Sequence, residues 1–171
     1  KLGTGHTLST CFDPQSLSYR AIWQDGWVNF QPFRWGSSRG ANIDGKTWFS
    51  IPKAEMPKGG EYLGLHRFGK RVVFEYQIGD TKIQDEPWAG KNSFYRRIDF
   101  LNPDTKLSLP CTVMDGAIKV EVVESNGIEK EEWKQCELIF QNASAGAWLI
   151  LRISKDKKPE EENSVLAHLK S

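Results

Sequence analysis

Apolar and polar residues alternate over short segments along most of the chain, which is the pattern of half-buried β-strands. In residues 117–123, for example, Ile118, Val120 and Val122 share one face and charged side chains occupy the other. Turn-forming residues separate the segments at near-regular spacing, and no amphipathic helix of ordinary length interrupts them. The pattern predicts an all-β fold: an antiparallel β-sandwich or jelly roll of about a dozen short strands with no long helix, with a closed barrel as the alternative.

Glycine-containing segments predict where the chain turns. Gly69-Lys70 and Gly79-Asp80 each place glycine first in a two-residue loop, where a type II′ hairpin turn requires positive φ. Asp25-Gly26 predicts a further hairpin turn, and Ser125-Asn126-Gly127 another turn. Residues 31–45 are predicted to be the longest irregular segment.

The turns at Gly69 and Gly79 set the register of three strands within residues 62–88. Leu63 then lies opposite Tyr76 and Leu65 opposite Phe74, so this apolar face is predicted to be buried. Ile83 also lies opposite Tyr76, from the third strand. The other face is polar and carries His66, Arg71, Glu75 and Gln77.

Length and charge limit the function classes. The 171 residues predict one sandwich domain over residues 1–153, followed by a charged linker or tail over 154–171. Lys and Arg number 23 against 22 Asp and Glu, so the sequence lacks the basic surplus of a nucleic-acid-binding protein. No apolar run approaches the roughly 20 residues of a membrane helix. Because the chain starts at Lys1, we expect a mature form or a piece of a longer protein.

The three cysteines allow two interpretations. Cys111 and Cys136 could form a disulfide between two strands, with Cys11 left over, or all three could be buried thiols. Their spacing fits no metal-binding pattern, and no metal site is predicted.

No catalytic motif is present. The histidines belong to no HExxH or CxxCH pattern, there is no nucleophile elbow or phosphate loop, and most aspartates lie in turns. A glycosidase pair could still be formed by residues distant in sequence. The candidate catalytic residues are therefore limited to Asp85, Glu86, His66 and Arg96.

Aromatic residues carry the remaining functional signal. Tryptophans interleaved with arginines could form a platform on which a sugar stacks, or could simply fill the core. Trp35 and Trp88, beside glycine-containing loops, are predicted to be exposed. The predicted ligand-binding or partner-binding residues are Trp27, Arg34, Trp35, Arg39 and Trp88.

Two sequence blocks resemble a known bacterial family. CFDPQSLSYRAIWQDGWVNF (11–30) and YLGLHRFGKRVVFEYQIGDTKIQDEPW (62–88) resemble the recognisable blocks of an uncharacterised β-domain, and SFYRRIDF (93–100) resembles the strand that follows. That domain accompanies quinone-dependent sugar dehydrogenase and cytochrome c domains in exported proteins of planctomycete type. The resemblance covers about residues 7–100, and its motifs are structural.

The resemblance implies a periplasmic or extracellular, non-catalytic accessory module of a sugar-oxidising redox assembly. Such a module would dock partner domains or subunits, or hold a glycan. The chain has no CxxCH, so it is predicted to carry no cofactor itself, and quinone and haem c would belong to neighbouring domains or subunits. Two alternatives stay open: a jelly-roll hydrolase or lyase acting on polysaccharide, and a structural subunit that makes protein–protein contacts.

Overall fold

The computed structural model describes residues 8–32, 38–51, 54–90, 92–103, 106–110, 118–134 and 137–155. Within these residues the chain forms β-strands and no helix. The strands are β1 (Leu8–Asp13), β2 (Ser18–Pro32), β3 (Ser38–Ser50), β4 (Gly60–Phe68), β5 (Arg71–Ile78), β6 (Thr81–Ala89), β7 (Ser93–Phe100), β8 (Lys106–Pro110), β9 (Lys119–Lys134) and β10 (Glu137–Ser154).

The strands form two antiparallel sheets, which confirms the predicted fold class. The smaller sheet has the order β1-β2-β3, and the larger begins with β4-β5-β6-β7 and continues to β10. Residues 137–141 of β10 pair with β8 and residues 148–154 pair with β7, whereas β9 pairs with both portions. Since each edge of a strand accepts one neighbour at a given residue, β7 and β8 share one edge of β10 and β9 lies along the other.

The apolar faces of the two sheets pack together, as in a sandwich. Tyr19 and Ile22 of β2 pack in one cluster with Phe94 of β7 and Ile153 of β10. A second cluster lies mostly within the larger sheet, and its largest fully buried members are Leu17, Tyr76, Ile83, Ile98, Phe100, Leu109, Leu138 and Phe140. β10 is apolar on both faces, which suits a strand in the middle of a sheet, because Ile150 belongs to a third buried cluster on the outward face.

The two predicted hairpin turns are confirmed. Gly69 has φ 62° and Gly79 has φ 61°, while neither Lys70 nor Asp80 has positive φ, which matches the φ pattern of a type II′ turn. β4 and β5 close with Phe68 opposite Arg71, and β5 and β6 close in the same way around Gly79.

The predicted register is correct near the turns and wrong further away. Leu65 pairs with Phe74, as predicted. Tyr76, however, pairs with Tyr62, because the ladder shifts by one residue between Tyr62 and Gly64 and leaves Leu63 at the irregularity. Leu63 and Leu65 are exposed and do not join the core, since both belong to an edge strand. Their predicted burial is wrong.

Two other predicted turns are bulges inside long strands. The pairing of β2 with β3 passes from Gln24–Lys46 to Trp27–Asp44, so Asp25 and Gly26 together face one residue of β3. In β9, Gly127 faces residues 144–147 of β10. β2, β3, β9 and β10 are therefore longer than the short strands predicted, and residues 38–45 are strand where an irregular segment was expected.

Candidate functional site

A cleft of about 700 Å³ lies on the outward face of the larger sheet, across β4 to β7. Strand alternation explains its composition: every second residue of each strand points to this face, and the residues between them point to the core. Its lining combines five charged residues with a histidine, an amide and three apolar side chains: Arg71, Glu75, Glu86, Arg97, Asp99, His66, Gln84, Phe68, Val73 and Leu101.

Two arginine–carboxylate pairs form the charged part of the cleft. Arg71 donates from Nε and Nη2 to the two oxygens of Glu86, at 2.6 Å each. Arg97 donates from Nε and Nη2 to Asp99, at 2.9 to 3.1 Å. Hydrogen bonding to Glu86 raises the pKa of Arg71, and hydrogen bonding to Asp99 raises the pKa of Arg97. Both guanidinium groups therefore stay charged and are held in fixed orientations.

The edge of the cleft on β4 carries an imidazole and an exposed aromatic ring. His66 Nε2 lies 3.3 Å from Glu75 Oε2, and Gln84 Nε2 donates to the same oxygen at 3.3 Å. Phe68 is 63% exposed, with its ring centroid 6.5 Å from that of His66 and the two planes 22° apart. The cleft thus places an accessible ring beside a row of fixed hydrogen-bonding groups.

A second polar cluster lies in the interior, between the sheets. Arg96 Nη2 donates to Asp85 Oδ2 at 2.5 Å, and the exposed fractions of these residues are 2% and 0%. Tyr19 and Tyr76 donate to the two Asp85 oxygens at 3.1 and 3.2 Å. Burial, followed by the charge of Asp85, raises the pKa of Tyr19 well above its ordinary value. Because Tyr19 belongs to β2 and Asp85 to β6, the cluster joins the two sheets.

The four candidate catalytic residues are therefore split between opposite faces of the larger sheet. Asp85 and Arg96 contact each other in the sealed interior, whereas Glu86 and His66 lie in the outward cleft. The adjacent residues Asp85 and Glu86 point in opposite directions because side chains alternate along β6. The structure therefore places the four residues on two faces of the sheet and not in one site.

The predicted aromatic platform is only partly described. Trp27 is 65% exposed, whereas Trp88 is 7% exposed and stacks on Tyr95 with ring centroids 5.2 Å apart, so the predicted exposure of Trp88 is wrong. Trp88 lies on the outward face of the sheet, but it is buried there because it packs in a cluster with Tyr95 and Ile150. Arg34, Trp35 and the side chain of Arg39 lie outside the described residues.

The disulfide candidates Cys111 and Cys136 also lie outside the described residues, and their bond stays a prediction. They are the next residues after Pro110 and before Glu137, which pair across β8 and β10. Cys11 is an exposed free thiol. The described residues contain no group of three or more His, Cys, Asp or Glu side chains able to hold a metal ion, and no helix of a length and hydropathy able to cross a membrane.

A second groove, of about 630 Å³, lies between the loop at residues 54–58 and β8. Met56, Pro57 and Leu107 line it together with Lys106 and Glu137. The described residues that line this groove include no arginine, whereas two guanidinium groups are fixed by carboxylates in the outward cleft. The outward cleft is therefore the stronger candidate, because a binding site needs a few precisely held polar groups beside apolar surface.

Sequence reasoning overlooked Phe68, Arg97 and Asp99 as site residues. The signal was present, because residues 93–100 alternate and place Arg97 and Asp99 on the face away from Ile98 and Phe100. Extending the hairpin register by one strand would have aligned this face with Glu86 and Arg71.

Part of the chain matches a known domain family. Residues 10–85 match DUF6797, a domain of unknown function. The DUF6797 region includes the whole of the first sequence block and all but the last three residues of the second. It ends at Asp85, inside β6, so it contributes Asp85, Tyr19 and Tyr76 to the interior cluster but not Arg96. No curated protein and no solved structure matches the chain.

Proposed function

We propose that this chain is a non-catalytic accessory module that holds carbohydrate in the outward cleft of the larger sheet. The observation that carries the proposal is that the exposed Phe68 ring and the guanidinium groups of Arg71 and Arg97 line the same cleft. A sugar ring has an apolar C–H face that stacks on an aromatic ring, and hydroxyl groups that accept and donate hydrogen bonds. Both needs are met within one cleft.

The hydrogen-bonding capacity of the arginines supports this function. Each guanidinium group donates two of its five N–H groups to its carboxylate and keeps three for hydroxyl groups or water. Because the carboxylate already fixes the guanidinium, binding of a ligand would cost little additional side-chain entropy.

The same pairs argue against a hydrolase. Glu86 and Asp99 each accept two or more hydrogen bonds from an arginine, whereas a general acid or nucleophile must present a carboxyl oxygen to the substrate. The interior carboxylate Asp85 is fully buried and is equally occupied. A reducing-sugar assay on polysaccharides should therefore detect no release of new chain ends.

Affinity electrophoresis in gels containing soluble polysaccharides tests the binding site. Wild-type protein should be retarded by at least one polysaccharide. Phe68→Ala should raise the Kd obtained from the retardation about tenfold, because one stacking contact contributes about 1.4 kcal/mol. Leu65→Ala is the matched control, because Leu65 is an exposed apolar residue of the same strand outside the cleft. Equal retardation of Phe68→Ala and wild type would place binding elsewhere, and no retardation by any polysaccharide would contradict the proposal.

Partner docking is a second candidate function, and Trp27 supports it. Within the described residues, β1 pairs with β2 as far as Gln24, and beyond it residues 27–32 of β2 pair with 38–44 of β3 as a two-stranded ribbon. Such a ribbon is marginally stable alone, and a large exposed indole on it suits a protein contact. Self-association that Trp27→Ala abolishes, without any loss of glycan binding, would favour this function.

The wider context is proposed from the family resemblance alone. In it, the module is exported and belongs to a sugar-oxidising assembly whose quinone and haem c are carried by neighbouring domains or subunits. Sequencing the complete reading frame tests this context. A signal peptide together with a propeller repeat or CxxCH in the same or an adjacent frame is expected, and their absence would leave only the binding module.

A further inference from the structure

We infer that the glycan held in the outward cleft is uncharged, and that polyuronates and sulfated glycans are excluded. This inference rests on the proposed function and concerns the same cleft. It follows from the number of charged groups in the cleft and from the hydrogen bonds that these groups already make.

The arginines and carboxylates of the cleft leave no positive surplus of formal charge. Two guanidinium groups, Arg71 and Arg97, face three carboxylates, Glu75, Glu86 and Asp99. A uronate or sulfate group entering this space would meet more like charge than opposite charge.

The arginines are also already engaged with acidic groups. A guanidinium binds a carboxylate or sulfate most strongly through two parallel N–H groups. In both arginines the Nε and Nη2 edge, which is well suited to such a contact, is bonded to Glu86 or Asp99. The Nη1–Nη2 end of each guanidinium stays open, but its charge is already matched by Glu86 or Asp99, so an acidic sugar gains little net attraction there. A hydroxyl group needs only a single N–H group and brings no charge that must be balanced.

The experiment compares neutral and acidic polysaccharides with the same chain. Galactomannan, xylan and fully methyl-esterified homogalacturonan are the neutral ligands, and polygalacturonate, alginate and a sulfated galactan are the acidic ones. The esterified and de-esterified galacturonans share one backbone and differ in the carboxylate charge and the ester methyl group. At least one neutral glycan should be retained tenfold more strongly than every acidic one. Its retention should change less than twofold between about 0.1 M and about 1 M salt, over which the Debye length falls from about 10 Å to about 3 Å.

The variant Asp99→Asn tests the charge argument directly. It removes one negative charge and weakens the grip on Arg97, so retention by acidic glycans should rise several-fold. Asp80→Asn is the matched control, because Asp80 lies in the exposed turn after β5 and does not line the cleft. Stronger retention of wild type by acidic than by neutral glycans would overturn this inference while leaving glycan binding intact, and retention by no glycan would overturn the proposed function instead.

Discussion

At the scale of single residues, two arginine–aspartate pairs whose arginines are adjacent on β7 have opposite environments. Asp85–Arg96 is sealed between the sheets, whereas Asp99–Arg97 lies in the outward cleft with about 30% of each side chain exposed. A buried charge that loses its partner cannot be compensated by water, but an exposed one can. The two pairs should therefore respond very differently to the same chemical change.

We expect Asp85→Asn to lower the free energy of unfolding by about 3–5 kcal/mol, because the buried Arg96 loses its counter-charge. Asp99→Asn should cost about 1 kcal/mol or less. Urea denaturation of both variants measures the difference. The double substitution of Asp85→Asn with Arg96→Met should recover part of the loss, since no charge is then buried and the Asn oxygen can still accept a hydrogen bond from Tyr19 or Tyr76. Equal losses for Asp85→Asn and Asp99→Asn would contradict this account of the interior pair.

Tyr19 makes the free energy of unfolding depend on pH in the alkaline range. Its folded-state pKa lies above the ordinary value of about 10, so above that pH the unfolded chain releases a proton that the folded chain keeps. The stabilisation is complete below about pH 10 and is lost as the pH rises, by up to about 1.4 kcal/mol per pH unit.

Urea midpoints of wild type and Tyr19→Phe between about pH 8 and pH 11 test this prediction; that range spans the ordinary tyrosine pKa of about 10. Tyr19→Phe should be less stable at the lower pH, where it lacks the hydrogen bond to Asp85, and should lose less stability at the higher pH. Parallel curves for the two proteins would mean that Tyr19 does not carry the alkaline loss.

At the scale of elements, two glycines are required for different reasons: Gly26 for a close approach of two backbones, and Gly69 for its positive φ. A Cβ at Gly26 would overlap the carbonyl oxygen of Asp44, because the β2 bulge brings the backbones of β2 and β3 together. A Cβ at Gly69 would meet no atom within 4 Å, and there only the φ of 62° favours glycine.

We therefore expect Gly26→Ala to destabilise the protein more than Gly69→Ala. The second change costs about 1–2 kcal/mol, the strain of a left-handed residue with a side chain. Gly26→Ala must in addition move the backbone of β3. Thermal unfolding of the two variants compares the costs, and a smaller loss for Gly26→Ala would argue against the close approach of β2 and β3.

The sequence predicts the alternating strands and the two short hairpins because both depend on neighbouring residues. The turns at Gly69 and Gly79 need only a glycine in the first loop position. Asp25-Gly26 carries the same local signal yet forms a bulge, because pairing with β3 continues on both sides of it. Whether such a signal becomes a turn or a bulge is decided by a partner strand that local sequence does not reveal.

The candidate site was predictable to a similar extent. Alternation separates Asp85 from Glu86 and places His66, Arg71 and Glu75 on one face, as the structure has them. The position of Arg97 opposite Glu86 required the order of strands in the sheet. The burial of Trp88 depended on packing around Tyr95 and Ile150, which strand periodicity cannot supply.

At the scale of the whole molecule, the DUF6797 match is smaller than the packed unit. Residues 10–85 lack β7 and β10, which supply Ile98, Phe100, Leu149 and Leu151 to the core beside Tyr76. They also lack Arg96, so Asp85 would be left without its cation.

We expect a fragment of residues 10–85 to be unfolded in isolation, whereas residues 1–155 unfold cooperatively. Circular dichroism and amide chemical-shift dispersion measure this directly, and adding a peptide of residues 86–155 should restore structure if the two pieces assemble. A cooperative thermal transition of the 10–85 fragment alone would show that the missing strands are dispensable.

The central position of β10 also sets an order of events during synthesis. β10 is the last strand of the described residues, yet β8 and β9 pair with it and β7 uses it as a second neighbour besides β6. The contact between β7 and β10 joins residues far apart in sequence, which slows folding. The meander β4 to β7 can pair before β10 leaves the ribosome, but the core residues Leu149 and Leu151 are then missing. We therefore expect the sandwich to close only after β10 has been made.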